Sequence, residues 1–118
     1  MNKDELGRHG ERLAADHLES LGLVVLARNW RCAEGEIDII ATDGIGALII
    51  CEVKTRSGLG FGSPAEAITD AKRRKLRRLA NVYLSRAISG WVSVRFDVIG
   101  VLCLPDQRPE ITHLRSAF

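Results

Sequence analysis

Two isoleucine-rich segments separated by a four-residue turn signal constrain the fold of this chain most strongly. Residues Glu36–Thr42 and Ala47–Thr55 are rich in the β-branched and apolar residues that favour strands. Between them, Asp43–Gly46 has the aspartate and glycines that are typical of a hairpin turn. The pattern predicts two neighbouring antiparallel strands. Acidic residues embedded in such strands must pair, bind a cation or lie at the surface.

The segments on either side of this hairpin predict two helices and three more strands. The capping residues Asn2–Glu5 indicate a helix over Asp4–Leu21 that Gly22 ends. A serine N-cap followed by proline at the first helical position indicates a second helix over Ser63–Ala87. The order α-β-β-β-α-β-β predicts an α/β fold in a single domain spanning residues 1–118. The other predicted strands are Leu23–Arg28, Val92–Leu104 and Ile111–Leu114.

Composition excludes several classes of protein. No apolar run approaches the ~20 residues of a membrane-spanning helix, so we expect a cytoplasmic protein that does not enter a membrane. Three widely spaced cysteines form no CxxC pair, which argues against a disulfide framework or a zinc site. The charge is unevenly distributed, because residues 1–55 carry six basic and ten acidic side chains, whereas residues 56–86 carry eight basic and two acidic ones. This asymmetry suggests a cation site beside an anion-binding surface.

Three charged residues in the predicted hairpin form the main candidate site. Glu52 and Lys54 are two residues apart on one strand and therefore project from the same face. If the hairpin forms, Asp38 lies on the adjacent strand, close enough for both carboxylates to share one ion. Carboxylates with water and phosphate oxygens suit magnesium. The alternative is a buried ion pair between Lys54 and one acid, with the other acid solvated at the edge of the sheet.

One charged residue lies on the apolar stripe of each predicted helix. Glu11 shares a stripe with Gly7, Ala14, Leu18 and Leu21, and is either a further ligand or the anchor of a structural hydrogen bond. Lys72 lies among Ile68, Leu76, Leu79 and Tyr83. Its ammonium either reaches the metal site or the scissile phosphate, or escapes to solvent while its stem packs.

The second helix is also strongly basic. Its arginines lack the interleaved acids that a merely soluble helix would use for i,i+4 pairs, which favours contact with a phosphate backbone over a solvated face. The preceding segment, residues 57–63, is rich in glycine but has neither standard nucleotide-binding fingerprint, and fits better as a loop over a polymeric substrate. The candidate nucleic-acid-binding residues are Arg56, Lys72, Arg73, Arg74, Lys75, Arg77 and Arg78.

Taken together, these motifs resemble the YraN-like family of bacterial proteins. That family is assigned to the PD-(D/E)xK, or restriction-endonuclease-like, nuclease superfamily, alongside Holliday junction resolvases. The resemblance covers nearly the whole chain, and the order and spacing of the motifs carry it. The motifs are Gly10-Glu11 with Ala14, Arg28-Asn29, Gly35-Glu36-Ile37-Asp38, Glu52-Val53-Lys54-Thr55-Arg56, Phe61-Gly62, Lys72, Ala80 with Tyr83-Leu84, and Arg95-Phe96-Asp97-Val98.

The resemblance implies a restriction-endonuclease-like three-layer core, with a mixed central β-sheet flanked by helices. It implies that Asp38 and Glu52 bind the metal, with the Val53 carbonyl as a further ligand. Lys54 matches the motif lysine of the superfamily. Glu11 matches the helix acid that many members add, and Lys72 matches the polar residue often found on the following helix.

The resulting hypothesis is a metal-dependent endonuclease that hydrolyses phosphodiester bonds in structured or single-stranded DNA. Mg²⁺ or Mn²⁺ would polarise the phosphate and lower the pKa of a bound water, while Lys54 orients or deprotonates the attacking group. DNA is favoured over RNA as the partner, and a homodimer or a protein partner stays open. The rival hypotheses are a nucleic-acid-binding module without turnover, in which the acids and the lysine form a satisfied polar cluster, and a structural adaptor.

Overall fold

A computed structural model describes residues 1–60, 62, 64, 66, 68–86 and 93–118 of the chain. Within these residues the elements follow the predicted order α-β-β-β-α-β-β. No helix among them is long and apolar enough to cross a membrane. The elements are α1 (Lys3–Ser20), β1 (Val24–Cys32), β2 (Gly35–Thr42), β3 (Ala47–Arg56), α2 (Asp70–Arg86), β4 (Ser93–Leu102) and β5 (Glu110–Leu114).

The caps of helix α1 are those that the sequence predicts. The Asn2 side chain accepts a hydrogen bond from the Glu5 backbone N–H at 2.8 Å and donates one to the Glu5 carboxylate. Gly22, at φ 86°, ends the helix in the left-handed conformation that glycine adopts readily. Leu21 is 43% exposed, so it does not belong to the buried stripe. It lies beyond the last helical residue as the C-cap, where the helical periodicity no longer holds.

The predicted hairpin between β2 and β3 is confirmed. The two strands are antiparallel and their ladder runs from Thr42↔Leu48 to Ile39↔Cys51. The Asp43 carboxylate accepts hydrogen bonds from the backbone N–H groups of Ile45 and Ala47, which fixes the turn. The hairpin thus sets the register of the two strands that carry Asp38 and Glu52.

The five strands lie in the order β1-β2-β3-β4-β5, and the sheet is mixed because β3 and β4 are parallel while the other neighbours are antiparallel. Helix α1 packs on one face, where Ala14 and Leu18 contact a core that includes Ile39 and Ile49. Helix α2 packs on the other face, where Leu76 contributes to the second core cluster. The predicted three-layer α/β architecture and its element order are therefore confirmed.

The start of α2 differs from the prediction. The helix begins at Asp70 rather than near Ser63, and Ile68 is buried but precedes it. The Thr69 hydroxyl accepts a hydrogen bond from the Lys72 N–H, so threonine rather than serine caps the helix. Positions 63, 87 and 92, which bound the predicted helix and strand, lie outside the described residues, as does Phe61 of the loop motif.

Strand β1 extends past its predicted end at Arg28 to Cys32. The extension forms because β1 and β2 are themselves joined by a tight turn, with Cys32 opposite Gly35 and Trp30 opposite Ile37. Asn29 interrupts the local pattern at φ 51°, a conformation that few residues other than glycine and asparagine tolerate. Because asparagine at this position interrupts the strand pattern, the sequence predicted only the part of the strand up to Arg28.

Candidate metal and nucleic-acid site

The carboxylates of Asp38 and Glu52 meet where the β2–β3 ladder ends. The last paired residues are Ile39 and Cys51, and one further step of the same antiparallel register places Asp38 opposite Glu52. The strands do not pair there. Instead, Asp38 Oδ2 accepts a hydrogen bond from the Val53 N–H at 2.8 Å. The side chain of Asp38 thus takes the place of a ladder hydrogen bond, which fixes its carboxylate beside that of Glu52.

The ionised form of Asp38 is strongly disfavoured in this position. Burial, a hydrogen bond with Glu52 and the charge of Glu52 together raise the pKa of Asp38 to about 8, from 3.8. The hydrogen bond from Val53 lowers the pKa but does not offset these effects. Near neutral pH the Asp38 carboxyl therefore retains its proton unless a cation binds.

Two lysines lie beside the other carboxylate. Lys54 Nζ is 3.6 Å from Glu52 Oε2, and Lys72 Nζ is 3.3 Å from the same oxygen. The Glu52 side chain is only 4% exposed, whereas both lysines are partly exposed. Lys72 comes from α2 and therefore reaches the site across the layer interface. The structure thus brings Asp38, Glu52, Lys54 and Lys72 together.

Glu11 approaches the site from α1, on the other layer. It is half-buried, and its negative charge contributes to the raised pKa of Asp38. The neighbouring Gly10 permits this approach, because a Cβ at position 10 would overlap the Thr55 side chain on β3. The Gly10-Glu11 motif thus has a physical reason: glycine lets the helix approach the sheet, and the glutamate then lies beside Asp38.

The donor set fits a hard divalent cation that keeps several water or substrate ligands. Among the described residues, no group of three or more His, Cys, Asp and Glu side chains is arranged to hold a metal ion. The pair Asp38 and Glu52 supplies hard oxygen donors, and the raised pKa of Asp38 shows that burial and the neighbouring carboxylate disfavour a second negative charge there. Magnesium is typically bound in this way, by one or two carboxylates with water and phosphate oxygens.

The basic residues of α2 differ in their surroundings. Arg74 and Arg78 are exposed, whereas Lys75 is half-buried with its side chain over Gly35. The Arg73 guanidinium lies 5.6 Å from the Phe118 ring centroid, and that of Arg77 lies 5.5 Å from it. Arg56, on β3, is half-buried and donates a hydrogen bond to the Thr55 carbonyl.

A second polar cluster surrounds Asp97. Arg95 and Asp97 form a pair, with two hydrogen bonds of 2.9 Å. No sequence motif indicated that His113 Nε2 lies 2.7 Å from Asp97 Oδ2, or that His17 lies 3.1 Å from the other nitrogen of His113. These contacts join β4, β5 and α1 over long sequence separations, so no local motif signals them.

Comparison with solved structures finds Hjc, a Holliday junction resolvase from the archaeal hyperthermophile Archaeoglobus fulgidus. The two chains are 18% identical, the alignment covers 89% of this chain and 74% of that one, and the TM-score is 0.49.

Sequence comparison gives a much stronger match. A protein from Nocardia farcinica is 50% identical over 117 residues, covering 99% of this chain and 91% of its own length. A protein from Mycolicibacterium smegmatis is 51% identical over 115 residues, covering 97% of this chain and 93% of its own length. Both are named UPF0102 protein. The model of the family described as "Uncharacterised protein family UPF0102" matches residues 10–101, which confirms the YraN-like family predicted from the sequence. The chain belongs to the UPF0102 family.

Proposed function

We propose that this protein is a metal-dependent endonuclease that hydrolyses phosphodiester bonds in structured or single-stranded DNA. The observation that carries the proposal is the pairing of Asp38 with Glu52 at the end of the β2–β3 ladder, with Lys54 and Lys72 beside them. This is the residue set of the PD-(D/E)xK pattern that the sequence resembles.

Asp38 and Glu52 would hold a Mg²⁺ or Mn²⁺ ion, with the Val53 carbonyl as a further donor, and Glu11 would add negative charge near the ion. When bound, the ion would neutralise negative charge on the phosphate and activate a water molecule. Lys54 would orient the attacking water and stabilise negative charge on the phosphate as the bond breaks. Lys72, which contacts Glu52 from α2, would position that carboxylate and approach the scissile phosphate.

The nucleic acid would lie along the basic segment of residues 56–86. The exposed side chains of Arg74 and Arg78 would follow the phosphate backbone, and their contacts would release counterions. Arg56 and Lys75 lie nearer to the sheet and would contact phosphates close to the site. Arg73 and Arg77, whose guanidinium groups lie near the Phe118 ring, would add positive charge along the same surface.

The test is cleavage of labelled single-stranded, duplex, flapped and four-way-junction DNA, with matched RNA substrates, in Mg²⁺, Mn²⁺ or EDTA. We expect cleavage in either metal, none in EDTA, and loss of cleavage in the Lys54→Met variant. Lys3→Met is the matched control, since Lys3 is an exposed lysine at the start of α1 that has no part in the candidate site. Cleavage that persists in EDTA or in Lys54→Met would contradict the proposal.

One observation favours the alternative of a nucleic-acid-binding module without turnover. Glu52 already has two lysine partners, so its carboxylate is neutralised without a metal ion. The alternative predicts salt-dependent DNA binding, no cleavage of any substrate, and no effect of Mn²⁺ on the melting temperature.

A further inference from the structure

A cavity of about 190 Å³ adjoins the candidate site on the same side of the sheet. Its floor crosses three strands, because the register places Lys54, Gly100 and Thr112 side by side on β3, β4 and β5. Lys54 also lies 3.6 Å from the Glu52 carboxylate. The cavity and the candidate site therefore share this lysine, and a ligand in the cavity would lie next to a phosphate bound at the site.

Residues after β3 form the opposite wall: Gly58, Leu59, Gly60, Gly62 and Pro64. Pro64 packs directly on the backbone of Gly100, where a Cβ would overlap its ring, so the loop is anchored to the floor of the cavity. Leu59, in the wall itself, is 77% exposed. This wall therefore offers apolar surface to a ligand in the cavity.

The lining combines a basic end with apolar walls. Lys54 and Arg56 form the basic end, and Leu59, Pro64 and Leu102 supply apolar surface. A ligand that matches both must have a flat or apolar body attached to an anionic group. A nucleotide has this character, with its base suited to the apolar walls and its phosphate to the basic end.

The volume of the cavity and the polar residues on β5 restrict the kind of ligand further. A volume of about 190 Å³ is below the roughly 300–1,000 Å³ of pockets that enclose drug-sized molecules, so the cavity suits one base and not a base pair. Glu110 and Thr112 on β5 line it and supply hydrogen-bonding groups for the edge of a base.

We propose that this cavity binds the base of an unpaired nucleotide adjacent to the phosphate that is cut. The inference rests on the proposed function and specifies its substrate class as nucleic acid with an unpaired nucleotide at the cleavage position. A base in a regular duplex would have to leave its stack to enter, which costs a few kcal/mol. Fully paired DNA is therefore the poorer substrate.

The variant that tests the cavity is Thr112→Phe. Thr112 is exposed on β5, where an aromatic residue is compatible with a strand, so the new ring fills the cavity without disturbing the core. Gln107→Phe is the matched control, because it adds the same ring at an exposed turn position that does not line the cavity. Equal melting temperatures of the two variants establish that both are folded.

The first readout is single-turnover cleavage of a single-stranded oligonucleotide and of versions with an abasic residue at each position flanking the cut. We expect one abasic position to slow the wild type and Gln107→Phe by roughly tenfold, because stacking contacts of the base are lost. Thr112→Phe should cut the intact strand roughly tenfold more slowly than the wild type and be indifferent to the abasic residue. Equal rates for intact and abasic strands in the wild type would overturn the proposal.

The second readout does not need cleavage. In EDTA, oligonucleotides carrying 2-aminopurine at successive positions should change their emission on binding the wild type and Gln107→Phe, but not Thr112→Phe. If this pattern is found and no substrate is cut, the cavity is assigned correctly and the proposed endonuclease activity fails. If cleavage occurs but depends on no base, the endonuclease stands and the cavity assignment is overturned. Absence of both cleavage and emission change overturns both.

Discussion

Two aspartates lie within the sheet, Asp38 on β2 and Asp97 on β4, and their surroundings shift their pKa values in opposite directions. Burial raises the pKa of Asp97, but hydrogen bonds from Arg95, His113 and the Ser116 backbone outweigh burial and hold it below its usual value. Asp38 has one hydrogen bond from Val53 and a second carboxylate beside it, and its pKa rises to about 8. Among the described residues, the charge of Asp97 is thus satisfied by Arg95, whereas no lysine or arginine is paired with Asp38.

We interpret this difference as that between a carboxylate that holds the fold together and one that, under the proposed function, binds a cation. Asp97 is completely buried and holds together β4, β5 and the C-terminal segment at Ser116. A buried carboxylate that is kept short of positive charge costs stability, and such a cost is typical of sites that bind a cation or perform chemistry. Four experiments test whether the two aspartates differ in this way.

The largest expected effect is on cleavage by Asp38→Asn. Asparagine can still accept the Val53 hydrogen bond, so the fold is retained, but the negative charge that would hold a cation is lost. We expect cleavage to fall at least roughly 10³-fold. Glu36→Gln is the control. Glu36 lies on the same strand and, among the described residues, forms an ion pair only with the exposed Arg31. Comparable activity of Asp38→Asn and Glu36→Gln would remove Asp38 from the site.

The next effect is on stability, and it concerns Asp97. Asp97→Asn leaves the Arg95 guanidinium and His113 without their anionic partner inside the protein. We expect the free energy of unfolding to fall by about 3 kcal/mol or more, as measured by urea denaturation. The cleavage rate of the protein that remains folded should be unchanged. A stable Asp97→Asn variant with no activity would instead place Asp97 in the functional site.

The third effect is a pH dependence of stability. Because the Asp38 pKa is about 8 in the folded state and 3.8 when unperturbed, the folded protein holds a proton that the unfolded chain has lost across this range. The Asp38 contribution to stability therefore decreases as the pH rises from about 4 to about 8. Asp38→Asn does not titrate, so its unfolding free energy relative to the wild type should rise with pH across this range, by up to about 1.4 kcal/mol for each pH unit.

Urea denaturation of both proteins at pH 5 and pH 8 measures this difference. Asp97 gives the opposite sign, because its lowered pKa stabilises the folded state above the unfolded pKa and this contribution is lost on acidification. An Asp38→Asn advantage that does not change between the two pH values would contradict the raised pKa of Asp38.

The smallest effect concerns the helix that carries Glu11. In Gly10→Ala the added Cβ overlaps Thr55, so α1 must move away from β3, at a cost of about 1–3 kcal/mol. Gly7→Ala adds a methyl group that meets nothing, and should gain about 0.5–1 kcal/mol from helix propensity. Thermal unfolding compares the two. Equal stabilities would mean that α1 is not held close to the sheet at Gly10.

The sequence predicted which charged residues lie close together better than it predicted the boundaries of the elements. Asp38, Glu52 and Lys54 lie on one hairpin, so a turn signal and strand periodicity were enough to bring them together. The start of α2 was predicted wrongly because the serine and proline at positions 63 and 64 form a strong local cap signal, whereas Thr69 caps the helix in the structure. Boundaries depend on such competition between nearby caps, and local propensity does not decide it.

The contacts that the sequence did not predict are long-range and specific. His17 and His113 meet across the α1–β5 interface, and nothing in either local sequence marks the other as a partner. The raised pKa of Asp38 could not be predicted in size either, because it depends on how the β2–β3 ladder ends and on the distance to Glu52. Pattern analysis identifies candidate residues, and their protonation follows only from packing.

Calorimetric titration of the metal-free protein with Mn²⁺ tests most directly whether Asp38 and Glu52 form a cation site. Measurement at pH 7 in buffers of different ionisation enthalpy counts the protons released. We predict binding by the wild type and Glu36→Gln with release of the Asp38 proton, and no binding by Asp38→Asn. Equal Mn²⁺ affinity in the wild type and Asp38→Asn, or no binding by any of the three proteins, would contradict the account.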